Sequence, residues 1–171
     1  VPLVQEIIPS PDVMSVVRAV SDLPNLLLFD SALQRDPVGR FSFLMADPVQ
    51  TWTLDAPQLG DDPFATIRPV LERWRCESLP DLPPFQGGIA GLMSYELGRC
   101  FERVPAASRD EFQLPVFAAA LYDWVISWDH RSKRTWIISH GWPEVTEARR
   151  REKAEQRIHA VLNRLLPGGT C

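Results

Sequence analysis

One stretch late in the chain decides the fold class: residues 116–139 read VFAAALYDWVISWDHRSKRTWIIS. Its side chains alternate, as they do along a β-strand, and one face carries Tyr122, Trp124, Ile126 and Trp128. The polar run at 129–133 predicts a turn, and residues 134–139 then return as a second strand. The stretch therefore predicts an antiparallel hairpin, and we expect part of its aromatic face to stay exposed.

Helical patterns lie on both sides of the hairpin. Ser10-Pro11 predicts the cap and first position of a helix that ends before Pro24. Residues 144–166 predict a long helix whose apolar stripe is Ala154, Ile158, Val161, Leu162 and Leu165. A third helix is predicted from Asp62-Pro63 towards Arg75, and Pro69 either kinks it or moves its start downstream.

Short apolar segments supply the remaining strands. Residues 25–30, 41–46 and 49–54 predict strands, the last two separated by a turn at Asp47-Pro48, and the glycine-rich segment 85–96 predicts another. Hairpins between helices indicate an α+β fold with antiparallel sheets and flanking helices. The length of 171 residues predicts a single domain, 1–171.

Composition limits the classes of partner. The net charge of -4 argues against nucleic acid, because binding it requires a surplus of cations. No apolar run approaches the length of a membrane span, and Cys76, Cys100 and Cys171 form no metal or disulfide pattern. We therefore expect a cytoplasmic protein without a membrane partner. The start at Val1, without an initiator Met, predicts a piece of a longer protein.

No catalytic or metal-binding constellation stands out in the sequence. The cluster Gly87, Gly88 and Gly91 lacks the spacing of a phosphate loop and indicates close backbone packing. His130, His140 and His159 share no spacing suited to a metal, and we expect all three to be solvated. No serine or cysteine has the context of a known nucleophile. We therefore predict no catalytic residue and no metal ligand in this chain.

Residues 85–99, FQGGIAGLMSYELGR, followed by Phe101-Glu102 and Pro105, resemble the signature of a known family. It is the N-terminal domain of chorismate-aminating enzymes, aminodeoxychorismate synthase component I (para-aminobenzoate synthase component I) and anthranilate synthase component I. Further matches follow in order between residues 25 and 140: Asp30-Ser31, Arg40-Phe41, Ala46-Asp47-Pro48, residues 121–124 and Asp129-His130. Agreement of many separate motifs makes the resemblance specific.

Three of these motifs resemble aminodeoxychorismate synthase more than anthranilate synthase. They are Leu97-Gly98-Arg99, the Tyr122-Asp123-Trp124 strand with its following Asp129-His130, and Asp30-Ser31. Anthranilate synthase usually carries Leu-Val-Arg and Glu-Ser at the first and last of these places. An anthranilate synthase is therefore the first alternative, and a free-standing ligand-binding or interaction module is the second.

The resemblance implies a role as one part of a larger enzyme. The family has an α/β sandwich in which this domain packs against a C-terminal domain that holds chorismate, Mg²⁺ and the catalytic acids; that domain is absent here. The whole enzyme replaces the 4-hydroxyl of chorismate with ammonia from a glutamine amidotransferase subunit, giving 4-amino-4-deoxychorismate for folate synthesis. We expect this chain alone to be inactive and to need no cofactor of its own.

The resemblance also implies a tryptophan pocket in this domain. The matching positions are Ser31, Val38, Gly39, Arg40 and Phe41. Arg40 or backbone amides would bind the carboxylate of the amino acid, and the Ser31 hydroxyl would bind its ammonium group. The structural alternative is that Arg40 pairs with an acid such as Asp36 or Asp47 and holds its loop.

Overall fold

The structure is a computed structural model that describes residues 1–33, 38–105, 109 and 111–166. Its elements in chain order are β1 (Leu3–Glu6), α1 (Val13–Ala19), β2 (Leu27–Phe29), β3 (Phe41–Met45), β4 (Gln50–Leu54), α2 (Arg68–Arg73), β5 (Gly88–Met93), a 3-10 helix (Tyr95–Cys100), β6 (Phe117–Tyr122), β7 (Trp124–Asp129), β8 (Arg134–Ser139) and α3 (Glu147–Leu165). Helices accompany two antiparallel sheets, so the predicted α+β fold class is confirmed.

The chain divides into two compact units. Unit 1 comprises Val1–Val49, Cys76–Gly88 and Tyr122–Cys171, and unit 2 comprises Gln50–Arg75 and Ile89–Leu121. Unit 1 contains a five-stranded sheet in the order β1-β8-β7-β3-β2, and a three-stranded sheet in the order β4-β6-β5 characterises unit 2. That residues 1–171 form one domain stays a prediction.

The central hairpin of unit 1 is β7 and β8, as the alternation predicts. Trp124 pairs with Ser139 at one end and Asp129 with Arg134 at the other. The expected exposure of the aromatic face is wrong, because Trp124 and Trp128 are at most 2% exposed. Both belong to a core cluster with Val16 of α1, with Val20 at the end of that helix, and with Ile158 and Val161 of α3. Tyr122 is also buried, and its hydroxyl donates to the carbonyl oxygen of Asn25 at 2.8 Å.

The helix ends differ from prediction in two places. Asp12, two residues after the predicted cap, accepts a hydrogen bond from the Ser15 amide and caps α1. The second helix is only Arg68–Arg73, with Pro69 in its first turn, because proline is tolerated there and not in a helix interior. The long C-terminal helix is confirmed, and Ala154, Ile158 and Val161 of its predicted stripe are buried.

Strand partners differ more than strand positions. The strands on either side of Asp47-Pro48 do not pair: β3 pairs with β2 and β7, and β4 pairs with β6. The alternation from 116 to 128 also spans two strands in different sheets, which separate at Asp123. Alternation reports which side chains share a face but carries no information on which strand lies alongside.

Unit 2 has a smaller core around its sheet. Ile67, Leu97, Cys100, Val116, Phe117 and Ala119 are its clustered buried side chains. The predicted close packing of the glycine segment is confirmed at Gly91, where an added Cβ would lie 2.0 Å from the carbonyl oxygen of Ala118. Only glycine allows β5 to approach β6 this closely.

Candidate functional site

Antiparallel pairing brings three of the family motifs, Asp30-Ser31, Arg40-Phe41 and Asp129-His130, together at one end of the sheet of unit 1. β2 and β7 lie on either side of β3 and run opposite to it. Residues just after β2, around the start of β3 and around the end of β7 therefore meet. We name this set the strand-end cluster: Asp30, Ser31, Arg40, Phe41, Ser42, Asp129 and His130.

The Arg40 guanidinium binds Asp129 in a bidentate ion pair. Its Nε and Nη2 donate to Oδ1 and Oδ2 at 3.2 and 2.8 Å, and the guanidinium lies 4.7 Å from the centre of the Phe41 ring. Asp129 is buried and also accepts from the amides of Arg131 and Ser132. The hydrogen bond from Arg40, helped by these amides, lowers the pKa of Asp129 to about 2. Asp129 is thus a carboxylate at neutral pH.

Ser42 is the centre of a second hydrogen-bond network in the cluster. Its hydroxyl donates to Asp30 Oδ1 at 2.8 Å, since a carboxylate only accepts, and its oxygen accepts from the Ser31 amide at 3.0 Å. His130 Nε2 lies 2.7 Å from the same oxygen and donates to it. The Ser31 hydroxyl donates to the carbonyl oxygen of Phe41 at 2.6 Å.

Asp30, Ser42 and His130 are the residue types of a hydrolase triad, but their arrangement does not suit nucleophilic catalysis. A nucleophilic serine gives its proton to the imidazole, whereas the Ser42 proton goes to the carboxylate. Ser42 is also fully buried, which leaves no approach for a substrate. The network orders the strand ends.

The structure brings together three of the five residues in the predicted tryptophan site. Ser31, Arg40 and Phe41 are in contact through the bonds above. Val38 is 71% exposed, and Gly39 turns the chain with a φ of 78°. Arg40 is held by an acid, as the structural alternative proposes, and Asp129 is such a partner. Asp47 instead binds Arg157 at 2.6 Å, and Asp36 lies outside the described residues.

His140 is the residue for which the sequence pattern misleads most. Its predicted solvation is wrong, because it is 3% exposed and stacks on Trp142 at 4.3 Å. Its Nε2 donates to the carbonyl oxygen of Gln86 at 2.7 Å, so Nδ1 is left to accept from the Cys76 thiol at 3.7 Å. Burial lowers the pKa of His140 to about 4.

A glycine explains how a histidine fits at this place. A Cβ on Gly87 would lie 2.8 Å from the His140 ring, and Gly87 has a φ of 119°. The glycine-rich segment therefore provides the space into which the His140 ring packs. The glycines are visible in the sequence, but nothing there shows that His140 is the residue that packs against them. His130 is half-buried and hydrogen-bonded, so its predicted solvation is also wrong; His159 is exposed as predicted.

Asp123 is a second buried ionisable group in unit 1. It has no exposed surface, and burial raises the pKa of its carboxyl to about 6, despite the opposing charges of Arg157 and Lys153. Ser139 Oγ lies 3.5 Å from Oδ2. Position 123 follows the last residue of β6 and precedes β7, so a carboxyl is enclosed at the point where the chain changes sheets.

The described residues contain no group of three His, Cys, Asp or Glu side chains that could hold a metal ion. No helix in the described ranges has the length and apolar character that crossing a membrane requires. The strand-end cluster is a site of hydrogen bonding and charge pairing.

Comparison with known proteins shows which family this chain belongs to. No family model matches the chain. Aminodeoxychorismate synthase component 1 of Salmonella typhimurium is 36% identical over 133 residues, which cover 71% of this chain and 29% of that protein. The Escherichia coli protein of the same name is 34% identical with the same coverage. The chain belongs to the family of chorismate-utilising synthase component 1 proteins.

The other branch of the family is also similar. Anthranilate synthase component 1 of Streptomyces coelicolor is 32% identical over 143 residues, covering 81% of this chain and 26% of that protein. The crystal structure of anthranilate synthase component I from Streptococcus pneumoniae aligns with a TM-score of 0.57 at 19% identity, over 80% of this chain and 32% of that one. It supports the fold. The chain spans less than a third of the length of these relatives.

Proposed function

We propose that this chain is the N-terminal part of component 1 of an aminodeoxychorismate synthase. The observation that carries the proposal is its 36% and 34% identity to two proteins of that name. The motifs Asp30-Ser31, Leu97-Gly98-Arg99 and Tyr122-Asp123-Trp124 support the same branch of the family. The parent would use ammonia to replace the 4-hydroxyl of chorismate, giving 4-amino-4-deoxychorismate for folate synthesis in the cytoplasm.

In this proposal the chemistry belongs to the rest of the parent. Chorismate, Mg²⁺ and the catalytic acids would lie in a C-terminal domain, and a glutamine amidotransferase subunit would supply the ammonia. The present chain contributes structure, through the strand-end cluster and the two sheets. It would not turn over chorismate alone.

Product analysis of the parent tests this proposal. The full-length protein, incubated with chorismate, Mg²⁺ and an ammonium salt, is expected to form 4-amino-4-deoxychorismate, identified by chromatography and mass spectrometry. The chain of 171 residues in the same mixture is expected to give no product above background. Anthranilate as the product would establish the other branch, for which the 32% identical Streptomyces coelicolor protein is the supporting observation.

A tryptophan site at the strand-end cluster is the second proposal. Its support is that Ser31, Arg40 and Phe41 meet at one end of the sheet, and that the Arg40 side chain is 46% exposed. A bound carboxylate would share the guanidinium with Asp129, and the ammonium group would bind near the Ser31 oxygen. Walls for the indole ring would come from the rest of the parent.

Calorimetry with a matched arginine pair tests the tryptophan site. Arg134 makes the same arrangement as Arg40: it forms a bidentate ion pair with Glu6 and lies 4.8 Å from the Trp136 ring. In the full-length parent, Arg40→Ala is expected to weaken tryptophan binding at least tenfold, while Arg134→Ala leaves it unchanged. Equal affinities in all three proteins would make Arg40 a purely structural arginine.

A further inference from the structure

The four strands at the sheet edges differ in their protection against pairing with other chains. Among the described residues β1 and β2 end one sheet, and β4 and β5 end the other. Short length, charge and polar side chains are the usual protection of an edge strand. β2 has three residues, β1 places Glu6 in an ion pair with Arg134, and β4 is the polar segment Gln-Thr-Trp-Thr-Leu.

β5 has none of these protections. Its six residues, Gly-Ile-Ala-Gly-Leu-Met, include no charged side chain and no proline. Leu92 and Met93 point to opposite faces of the sheet, as successive strand residues do, and are 43% and 61% exposed. Both faces beside this edge are therefore open at its end. A long, apolar and uncharged edge is a template for a further strand.

The opposite side of β5 is held firmly on β6. Gly91 packs against the backbone of Ala118 and Ala119 without room for a Cβ, and the Ser94 amide donates to the carbonyl oxygen of Val116 at 2.9 Å. A strand fixed on one side keeps the amides of its other side in line. Because β5 is already ordered by its pairing with β6, a further strand could pair with it without the loss of conformational entropy that ordering β5 would require.

A longer parent polypeptide, as proposed above, would supply an occupant. The chain covers less than a third of the length of its relatives, and three strands are near the lower limit for an independently stable sheet. A strand tethered in the same polypeptide acts at an effective concentration in the millimolar range, which a second copy of the protein would rarely reach. The tethered strand is therefore favoured over self-pairing.

We propose that the free edge of β5 pairs with an apolar β-strand from the remainder of the parent polypeptide, extending the three-stranded sheet. The inference rests on the proposed function only for the existence of a longer parent. The incoming strand would form backbone hydrogen bonds with the outward amides of β5. Its apolar side chains would cover Leu92 on one face and Met93 on the other.

Hydrogen exchange in the full-length parent, resolved to single amides by fragmentation mass spectrometry, tests the proposal. In an antiparallel strand, alternate amides point to opposite sides. Pairing on both sides of β5 predicts that both alternating sets exchange at least 100-fold more slowly than unstructured amides. If only one set is slow, the outward edge is unpaired and the proposal is overturned.

A lysine at the edge and a matched control sharpen the test. In the parent, Met93→Lys is expected to speed exchange of the outward set at least tenfold, because it places a charge in the apolar contact. Thr51→Lys, on the polar edge strand β4, is expected to leave that set unchanged. Equal effects of the two variants would contradict the proposal.

Two more measurements identify a different occupant and separate this proposal from the enzymatic one. If both amide sets of β5 are slow only in concentrated samples of the 171-residue chain, a second copy is the occupant and the proposal fails. Chorismate turnover is measured independently. A parent that is inactive on chorismate but protects both sets would refute the proposed function and leave the paired edge intact.

Discussion

Unit 1 buries its sheet among its own helices, whereas unit 2 encloses a smaller core. Within the part of the chain that the structure describes, ten buried side chains form the main cluster of unit 1, most of them from α1, α3 and the sheet, and the corresponding cluster of unit 2 has six. Among the described residues each unit exposes eight large apolar side chains, although unit 2 has only about half as many residues. Apolar surface is thus denser on unit 2, and the comparison indicates that its stability depends more on what covers it.

Truncation of one isoleucine in each unit gives the largest expected effect. Ile126 is fully buried in unit 1, and Ile126→Ala should lower the free energy of unfolding of that unit by about 3 kcal/mol. Ile67, 4% exposed, is the counterpart in unit 2. Ile67→Ala should speed amide exchange in unit 2 and leave β7 and β8 protected. Equal loss of protection throughout the chain would show that the units unfold as one.

A methyl group at Gly91 is the next largest perturbation, and it affects unit 2 alone. The Cβ of Gly91→Ala would overlap the carbonyl oxygen of Ala118, so we expect a loss of about 2 kcal/mol, measured by urea denaturation. At Gly98, in the 3-10 helix, an added Cβ would meet nothing within 4 Å. Gly98→Ala should therefore be nearly neutral, and similar losses for both variants would contradict the packing argument.

Within unit 1, Arg40 and Arg134 allow a comparison of a buried and a more exposed ion pair. Arg40→Ala leaves the buried Asp129 carboxylate without its main partner and should cost about 2 kcal/mol. Arg134→Ala should cost much less, because its partner Glu6 is more exposed. Urea denaturation of the two variants at neutral pH measures both losses, and equal values would contradict the role of burial.

The same ion pair also predicts a dependence on pH. The pKa of Asp129 is lowered to about 2, so its contribution is present above pH 4 and is lost between pH 4 and pH 2. Denaturation curves at three acid pH values, for both arginine variants and the wild type, measure this loss. If the free energy of unfolding falls between pH 4 and pH 2 as much in Arg40→Ala as in the wild type, the Arg40–Asp129 ion pair is not the cause of the fall.

The smallest expected effect in the wild-type chain comes from two buried groups that oppose each other. The pKa of His140 is lowered to about 4, so acidification from pH 6.5 to pH 4 destabilises the folded state. The pKa of Asp123 is raised to about 6, so the same acidification stabilises it. Between pH 4 and pH 6 the two slopes have opposite signs, and we expect little net change.

Removing either group should reveal the other. Asp123→Asn leaves His140 unopposed, so stability should fall by up to about 1.4 kcal/mol per pH unit on going from pH 6 to pH 4. His140→Gln keeps a donor for the Gln86 carbonyl and leaves Asp123 unopposed. The stability of this variant should therefore fall as the pH rises from 4 to 6. Urea denaturation at pH 4, 5 and 6 measures both slopes, and two variants with the same sign of slope would refute the assignment.

Periodicity predicts most elements because it depends on a single segment. The hairpin at 124–139 and the apolar stripe of α3 are both confirmed. They could be predicted because a repeat of two or of 3.6 residues is visible within ten positions of the sequence. The shortened second helix has a visible signal in Pro69. Motifs at Asp30-Ser31, Arg40-Phe41 and Asp129-His130 also mark the strand-end cluster without its geometry.

Two parts of the site could not be predicted because they depend on distant partners. The Arg40 and Asp129 side chains are 89 positions apart and meet only because β3 and β7 pair. His140 is buried because the Gly87 backbone, 53 positions earlier, leaves room for its ring. Composition and spacing contain no record of such contacts, so the sequence did not indicate Asp129 as a partner of Arg40, and the predicted environment of His140 is wrong.

The sequence by itself determined the α+β class, the strands and helices that repeat regularly, and the family, because each of these is recorded in residues close together along the chain. Only the tertiary structure decided the strand partners on either side of Asp47 and Asp123, the burial of His140 and the open edge of β5. The physical reason is that pairing and burial are properties of two segments at once. The free energy that selects one partner over another is set by surfaces that meet only in the folded chain.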